Sequence, residues 1–263
     1  MERTALGARR TVRHTGTALT LAVAMAMAVS GCGNGTAASG PASGKPSPPA
    51  TTRASAPKPP AISESISYYA EHGDKTVALT LDDGPSAEWT PDVLDLLKQY
   101  GIKATFCMIG PNAKAHPDLV KKIVAAGHQL CDHSVHHNEN MAKEPVDYQR
   151  SEILDAQKMI EDAAGGTAKV LYYRAPGGDF SPDSEKIAAE HGMRPLGWSV
   201  DPRDWSRPGP DKMVKTAKKN LADGGSTIIF HDGGGDRSQT LAALKTLLPW
   251  LKQQGYTFGF PQR

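Results

Sequence analysis

The chain has 263 residues, of which 39% are hydrophobic and 22% are charged, and its formal net charge is +2 at pH 7. The small net charge and the dispersed basic residues exclude a nucleic-acid-binding surface as the basis of its function. After a low-complexity N-terminal segment, about 200 residues remain, which is enough for one domain with a sizeable core.

Residues 1–32 have the pattern of an export signal. Four arginines stand among the first 13 residues, and an apolar run over residues 18–29 follows them. A run of about a dozen apolar residues is too short to span a bilayer and is typical of a signal-peptide core. Cys32 follows Val29-Ser30-Gly31 in a string that resembles a bacterial lipobox, which implies a lipidated Cys32 at the mature N-terminus. The alternatives are an ordinary signal peptide with a secreted product and, from Arg9-Arg10, a twin-arginine signal.

Residues 33–65 consist mainly of Gly, Ser, Thr, Ala and Pro. The proline-rich stretches 46–49 and 57–60 favour an extended, semi-rigid tether. Because the segment has almost nothing to bury, it cannot offset its ordering entropy, and we predict that it is disordered. A lipid anchor and this tether would hold the remaining domain, residues 66–263, at the outer face of the bacterial cell membrane.

Short runs of strand-forming residues recur through the rest of the chain. The seven predicted strands are Thr76–Leu81, Ala104–Ile109, Gln129–Cys131, Val170–Tyr173, Arg194–Ser199, Ser226–Phe230 and Tyr256–Phe258. The predicted helices between them are Pro91–Tyr100, Pro117–Ala126, Val146–Ala164, Ser184–His191, Pro210–Ala222 and Thr240–Gln254. For the first helix we expect Thr90 as the N-cap and Gly101 at the end.

The alternation of strands and helices predicts right-handed βαβ units and a parallel sheet, and therefore an α/β fold. No Gly-x-Gly-x-x-Gly string follows the first strand, which counts against an open dinucleotide-binding sheet. Polar motifs follow several different strands, as in a β/α barrel, where the strand ends share one mouth. Seven strands in about 200 residues are few for an eight-fold barrel. We therefore predict a distorted, incomplete (β/α) barrel.

Cys107 and Cys131 are the two cysteines of the predicted domain. They fall in consecutive predicted strands, and an exported protein meets oxidising conditions. The pair is therefore a candidate for a disulfide, and two buried free thiols are the equal alternative.

Two short strings supply candidate metal ligands. Asp82 and Asp83 follow the first predicted strand, and His133 and His137 follow the third. On a helical turn, a spacing of four places both imidazoles on one face, about 6 Å apart at Cβ. Two imidazoles and a carboxylate suit Zn²⁺ with an open position for water, and the second carboxylate is then free to act as a base. The same ligands could serve an Fe(II) oxygenase, although that chemistry does not need the second aspartate.

Three further polar strings each follow a predicted strand. They are Arg174-Ala175-Pro176-Gly177-Gly178, Asp201-Pro202-Arg203-Asp204-Trp205 and His231-Asp232. Any one of them alone would be an ordinary loop. Five polar strings at five strand ends indicate one composite site.

Together the five strings resemble the motif set of the polysaccharide deacetylases, carbohydrate esterase family 4, also called the NodB homology domain. The resemblance extends over roughly residues 76–258. It implies a distorted β/α barrel and one divalent metal, usually zinc, with Co²⁺ or another divalent ion as alternatives. It also implies hydrolytic removal of acetyl groups from polymers of N-acetylglucosamine or, in some members, from acetylated xylan.

Motif by motif, the resemblance makes Asp82 the catalytic base and Asp83 the carboxylate ligand of the metal. It makes His133 and His137 the histidine ligands. Arg174 then orients and stabilises the catalytic base. These roles divide two neighbouring carboxylates between proton transfer and metal binding.

The same resemblance makes His231 the catalytic acid. One aspartate of the string 201–205 would tune it from behind; we favour Asp204, and Asp201 is the alternative. Trp205 and Ile229 would wall the pocket that holds the acetyl methyl group.

Two positions depart from the family pattern. Gly177 stands where the family often has an aromatic residue; its N–H can still stabilise the oxyanion, but a wall of the groove is lost. Ile229 stands where leucine is frequent, which is a mild change. The first departure bears on the choice of substrate.

These observations predict a metal-dependent hydrolase that removes N-acetyl groups from polysaccharide containing N-acetylglucosamine, either peptidoglycan or chitin-type oligomers. The alternatives are an acetylxylan O-deacetylase and, in a different class, a lipid-anchored wall-binding protein without catalysis. We expect a monomer whose partners are acetylated polysaccharide and the membrane, and not nucleic acid.

Overall fold

The computed structural model describes residues 61–71, 73 and 75–263. The predicted signal peptide, the lipidated Cys32 and the tether up to residue 60 lie outside the described residues. In the part of the chain that is described, no helix combines the length and the apolar character needed to cross a bilayer.

One sheet of seven strands organises the described residues. Its strands are β1 (Thr76–Asp82), β2 (Thr105–Met108), β3 (Gln129–Asp132), β4 (Val170–Tyr173), β5 (Arg194–Pro195), β6 (Thr227–His231) and β7 (Thr257–Gly259). The order is β5-β4-β3-β2-β1-β6, β7 also pairs with β1, and each of these pairings is parallel. The predicted incomplete (β/α) barrel is confirmed, and the strand bounds lie within one residue of the prediction everywhere except at β5.

β5 is shorter than the predicted run Arg194–Ser199 because the backbone that follows it has other partners. The carbonyl oxygens of Leu196 and Gly197 accept hydrogen bonds from the Arg174 side chain at 3.1 and 3.0 Å. The N–H of Gly197 donates to the carbonyl of Ser67 at 2.8 Å. A buried arginine and an N-terminal segment therefore take the place of a neighbouring strand.

The segment after β5 also bridges the gap to β6. Val200 N–H donates to the Thr227 carbonyl at 2.9 Å, and Ile229 N–H donates to the Val200 carbonyl at 3.0 Å. These few bonds link the two ends of the strand path, so the sheet curls into a barrel that is only partly closed.

Seven α-helices accompany the sheet in the described residues. They are α1 (Thr90–Tyr100), α2 (Gly110–Ala115), α3 (Pro117–Ala125), α4 (Val146–Ala163), α5 (Pro182–Glu190), α6 (Pro210–Ala222) and α7 (Ser238–Gln253). The sequence did not predict α2, because its six residues carry no apolar stripe. Gly110 lets α2 approach α4 closely, since a Cβ at this position would lie 2.9 Å from the Cα of Ala156.

The prediction that Thr90 caps α1 is wrong. The helix begins at Thr90, and Trp89 occupies the N-cap position without a side-chain bond. The Thr90 hydroxyl instead donates to Asp232 Oδ2 at 2.6 Å and accepts the N–H of Ser86 at 2.7 Å. The end of α1 is confirmed, because Gly101 has a φ of 65°, which glycine adopts without strain.

Alternation along β1 separates the core from the site. Val77, Leu79 and Leu81 are buried in the main hydrophobic core. Thr80 and Asp82 alternate with these residues along the strand and lie on the opposite face, because successive strand residues point to opposite sides of a sheet. Asp82, the last residue of β1, therefore lies at the mouth of the barrel. A second, smaller apolar cluster is formed by Cys107, Cys131, Tyr172 and Leu196.

Cys107 on β2 and Cys131 on β3 are direct partners in the strand register. They are joined by a disulfide, and both residues are fully buried. The disulfide crosslinks the strands that precede the loops of the site.

We predict that replacing both Cys107 and Cys131 by Ala lowers the free energy of unfolding by about 3 kcal/mol, because the bridge closes a loop with a sequence separation of 24. Urea denaturation of the variant and the oxidised protein measures the difference. An intact mass that does not change on reduction would contradict the bridge.

Candidate active site

The sequence-predicted site residues come together at the C-terminal ends of the strands. One cavity of about 380 Å³ is lined by nine of them, namely Asp82, Asp83, His133, His137, Gly177, Asp201, Trp205, Ile229 and His231. Arg174 and Asp204 are fully buried and contact the lining residues from behind. Parallel strands bring their C-terminal ends to one edge, which explains how residues from five strings meet.

Asp83, His133 and His137 form a group that could hold a metal ion. Asp83 Oδ1 lies 3.6 Å from His133 Nε2 and 3.3 Å from His137 Nε2, and the three candidate ligand atoms lie within 4.8 Å of one another. Asp83 Oδ1 is buried and has no hydrogen-bond partner, which is costly for an ionised oxygen that has no cation beside it. Two imidazole nitrogens and one carboxylate oxygen fit a divalent ion such as Zn²⁺.

The protonation of His133 suits a metal ligand. Burial lowers the pKa of His133 to about 3; the charge of His137 acts in the same direction, whereas Asp83 and the hydrogen bond to the Arg174 backbone act against it. The Nδ1 atom of His133 lies 2.8 Å from the backbone carbonyl of Arg174. A neutral ring that donates there leaves the lone pair on Nε2, the atom nearest to Asp83.

The helical turn predicted for the segment from His133 to His137 is not present. Ser134 has a φ of 67° and His137 a φ of 52°, so the segment is a loop with two left-handed residues. The imidazoles nevertheless come together, with ring centroids 4.9 Å apart. The two imidazoles are therefore close together, as predicted, but the backbone conformation that brings them together is not the predicted one.

Side chains bind the N–H groups of this loop. Asp132 Oδ1 accepts from Ser134 at 2.7 Å, and Ser134 Oγ accepts from His137 at 3.1 Å. Glu152, on α4, accepts the two N–H groups in between. A helix would bond these groups to backbone carbonyls four residues earlier, and the competing side chains explain why the helical turn does not form.

Asp82 is held by a buried ion pair. The Arg174 guanidinium donates to Asp82 Oδ1 at 2.5 Å and to Thr80 Oγ1 at 2.8 Å. Burial raises the pKa of Asp82, whereas Arg174 and His231 act in the opposite direction. The other carboxylate oxygen, Oδ2, lies 3.7 Å from His133 Nε2, so Asp82 presents one oxygen to the arginine and one toward the candidate ligands.

The neighbouring aspartates diverge because their backbones differ. Asp82 ends a strand, whereas Asp83 has a left-handed φ of 70°. Asn112 Nδ2 donates to the Asp83 carbonyl at 2.8 Å. Gly234 makes room for the Asp83 side chain, because a Cβ at Gly234 would lie 2.4 Å from Asp83 Oδ2.

His231 is paired with Asp204 and not with Asp201. His231 Nδ1 lies 2.7 Å from Asp204 Oδ1, and its backbone N–H donates to Asp204 Oδ2 at 3.0 Å. Burial lowers the pKa of His231, but the hydrogen bond and charge of Asp204, with the charges of Asp82 and Asp83, outweigh burial and raise it to about 9. Asp201 instead accepts the N–H of Arg203 at 2.7 Å. Of the two aspartates weighed from the sequence, only Asp204 contacts the histidine.

The pocket walls include two residues that the sequence analysis missed. Ile229 is buried and Trp205 is 52% exposed, and both line the cavity as predicted. Trp198 and Glu139 also line it. Trp198 lies in the predicted strand Arg194–Ser199, and nothing else in the sequence indicated that it lines a pocket. A Cβ at Gly177 would lie 3.4 Å from Glu139 Cγ, so Glu139 occupies the wall beside the missing side chain.

Acid–base hydrolysis needs a carboxylate base and a protonated acid at the same cavity. Asp82 and His231 are register partners on β1 and β6 and both line the cavity. The fold and the site therefore define a hydrolase of the β/α-barrel class.

Comparison with known proteins identifies the family. The polysaccharide deacetylase profile matches residues 69–196. The chain is 41% identical over 197 residues to the peptidoglycan-N-acetylglucosamine deacetylase of Bacillus cereus, covering 73% of this chain and 89% of that protein. It is 39% identical over 194 residues to the chitooligosaccharide deacetylase of Sinorhizobium fredii, covering 70% and 89%. The chain belongs to the polysaccharide deacetylase family.

A solved structure of a CE4 family pseudoenzyme from Bacillus anthracis has the same fold, with a TM-score of 0.68 and 32% identity over 76% of this chain and 68% of that chain. The barrel alone therefore does not determine activity in this family. Activity therefore depends on the residues at the barrel mouth.

Proposed function

We propose that this protein is a metal-dependent hydrolase that removes N-acetyl groups from polysaccharide containing N-acetylglucosamine. The observation that carries the proposal is the placement of Asp82 and His231 on neighbouring strands at a cavity that also contains Asp83, His133 and His137. The base, the acid and the candidate ligands are thus supplied by different side chains.

Asp82 is the base in the proposed reaction. With Oδ1 bonded to Arg174, its Oδ2 is the oxygen that accepts the proton of the attacking water. Burial raises the pKa of Asp82, which makes the carboxylate a stronger base than an exposed aspartate. Arg174 keeps this carboxylate ionised and fixes its direction.

His231 is the acid. The leaving nitrogen must gain a proton when the bond between carbon and nitrogen breaks, and a histidine with a pKa of about 9 is protonated at neutral pH. The products are acetate and a free amino sugar. The Gly177 N–H is the donor proposed to stabilise the developing oxyanion, and a preformed donor of this kind contributes about 3 kcal/mol.

Asp83, His133 and His137 would hold the divalent ion, and Zn²⁺ is the ion that best suits these ligands. When bound, the ion would supply Lewis acidity and a lowered pKa for water. The neutral state of His133 and the unpartnered Asp83 Oδ1 support this assignment.

The proposed substrate is peptidoglycan or a chitin-type oligomer. The support comes from the two relatives, whose names specify peptidoglycan N-acetylglucosamine and chitooligosaccharide. Acetate release from N-acetylglucosamine oligomers, peptidoglycan and acetylxylan, with Zn²⁺ or Co²⁺ supplied, tests the proposal. Release from acetylxylan alone would replace it with an O-deacetylase, and release from none of the three would favour a wall-binding protein.

We predict that Asp82→Asn lowers turnover by about 10²–10⁴-fold, because the general base is lost, and leaves the metal content unchanged. His133→Ala should lose both turnover and metal, because it removes a ligand. Acetate release and elemental analysis of the purified variants measure the two quantities. Equal metal loss in both variants would refute separate roles.

We predict that Asp204→Asn moves the alkaline limb of the pH–rate profile to lower pH. Activity requires protonated His231, so it is present below the pKa of about 9 and is lost above it. Without the charge of Asp204, burial opposes the protonated form more effectively, and the pKa of His231 should fall below this value. Asp201→Asn is the matched control, and an equal shift in that variant would disprove the pairing.

We propose that a lipid on Cys32 anchors the enzyme at the outer face of the cell membrane. The support is the lipobox-like string and the proline-rich segment that follows it. Cys32→Ala should move the protein from the membrane fraction of the producing cells to a soluble fraction, which immunoblotting of the fractions detects. An unchanged distribution would favour an ordinary signal peptide.

A further inference from the structure

We propose that Glu152 is a positioning residue that holds the loop between His133 and His137 in the conformation that binds the metal. The inference deepens the proposed function, on which it rests. It gives a role in the site to a residue of α4 that does not line the cavity.

The Glu152 carboxylate is bonded entirely to the middle of this loop. Its Oε2 accepts the N–H of Val135 at 3.2 Å and the N–H of His136 at 2.8 Å. Its Oε1 lies 2.6 Å from His136 Nδ1. Both carboxylate oxygens therefore contact the two residues that lie between Ser134 and His137.

Glu152 stands on a rigid support. Glu152 is only 3% exposed, and its helix neighbours Ile153, Ala156 and Ile160 are fully buried. A carboxylate that is buried in this way is stabilised by charge-assisted hydrogen bonds from backbone N–H groups. The buried helix therefore fixes the position of a loop whose N–H groups are bonded by side chains and not by a regular backbone pattern.

The loop needs such a support because its backbone is unfavourable for the residues it contains. Ser134 and His137 are both left-handed, a conformation that costs about 1–2 kcal/mol for a residue with a side chain. Asp132 and Ser134 hold the two ends, and Glu152 holds the middle. Without it, the free loop can relax and His137 loses its fixed direction toward Asp83.

Glu152→Gln separates this role from simple packing. The amide has the same shape as the carboxylate, but it loses the charge and replaces one acceptor oxygen with a donor group. The N–H groups of Val135 and His136 then bond a neutral oxygen instead of a charged one, and the bonds that hold the loop become weaker. Asp155→Asn is the matched control, because Asp155 is an exposed acid on the same helix and undergoes the same chemical change.

Calorimetric titration of Zn²⁺ into the metal-free full-length protein tests the proposal. We expect Glu152→Gln to raise the Kd by about 10–100-fold, as is typical when a group that orients a metal ligand is lost. Asp155→Asn should leave the Kd unchanged. At the same Zn²⁺ concentration, the ion should raise the Tm of Glu152→Gln less than it raises the Tm of Asp155→Asn. A purely structural role would lower the Tm with and without Zn²⁺ and would leave this increase unchanged.

The outcomes separate this proposal from the proposed function. Wild-type Kd in Glu152→Gln, or equal weakening in Asp155→Asn, overturns the role of Glu152 and leaves the deacetylase assignment intact. If Glu152→Gln does not fold, Glu152→Asp, which keeps the charge but withdraws it from the loop, should show the weaker Zn²⁺ binding, and unchanged binding there also overturns the role. A wild-type protein that binds neither Zn²⁺ nor Co²⁺ overturns the metal assignment itself.

Discussion

The buried guanidinium of Arg174 is the constraint on which the rest of the site depends. It donates to Asp82 and Thr80 on β1 and to two backbone carbonyls that follow β5, while its own carbonyl fixes the ring of His133. A buried charge is tolerated only when it is paired and fully hydrogen-bonded, and removal of one partner typically costs about 3–5 kcal/mol. The arginine therefore links the proposed catalytic base, a metal-ligand candidate and the closure of the barrel through one set of bonds.

The separation of two adjacent carboxylates follows from backbone conformation. Asp82 continues the strand and meets the arginine, whereas the left-handed turn at Asp83 sends the next side chain toward the histidines. Gly84 and Gly234 allow this turn, because a Cβ at either position would collide with a neighbouring carboxylate, that of Asp232 or of Asp83. Two residues that differ by one position can thus take part in proton transfer and in cation binding.

The sequence was sufficient to predict the barrel and most of the side chains that gather at its mouth, because strand periodicity and the shared edge of a parallel sheet are local and topological properties. It was insufficient wherever a distant side chain decides the local backbone. Thr90 bonds Asp232 and so does not cap its helix, and Arg174 takes the carbonyls that would have extended β5. Glu152 could not be found from spacing, since nothing in the string around it indicates that it contacts a loop 16 residues earlier.

The pairing of His231 with Asp204 makes the protonation of the proposed acid largely independent of what occupies the candidate metal site. The hydrogen bond and charge of Asp204 make the largest contributions that raise the pKa of His231, and those of Asp82 and Asp83 are smaller. A cation held by Asp83 would offset the pull of the two cavity carboxylates, but Asp204 is buried behind the histidine and is held by Thr240 as well. An acid that depended on Asp82 and Asp83 would lose its proton when the site was loaded. Because its main partner lies away from the candidate ligands, His231 would remain protonated with a divalent ion on the opposite side of the cavity.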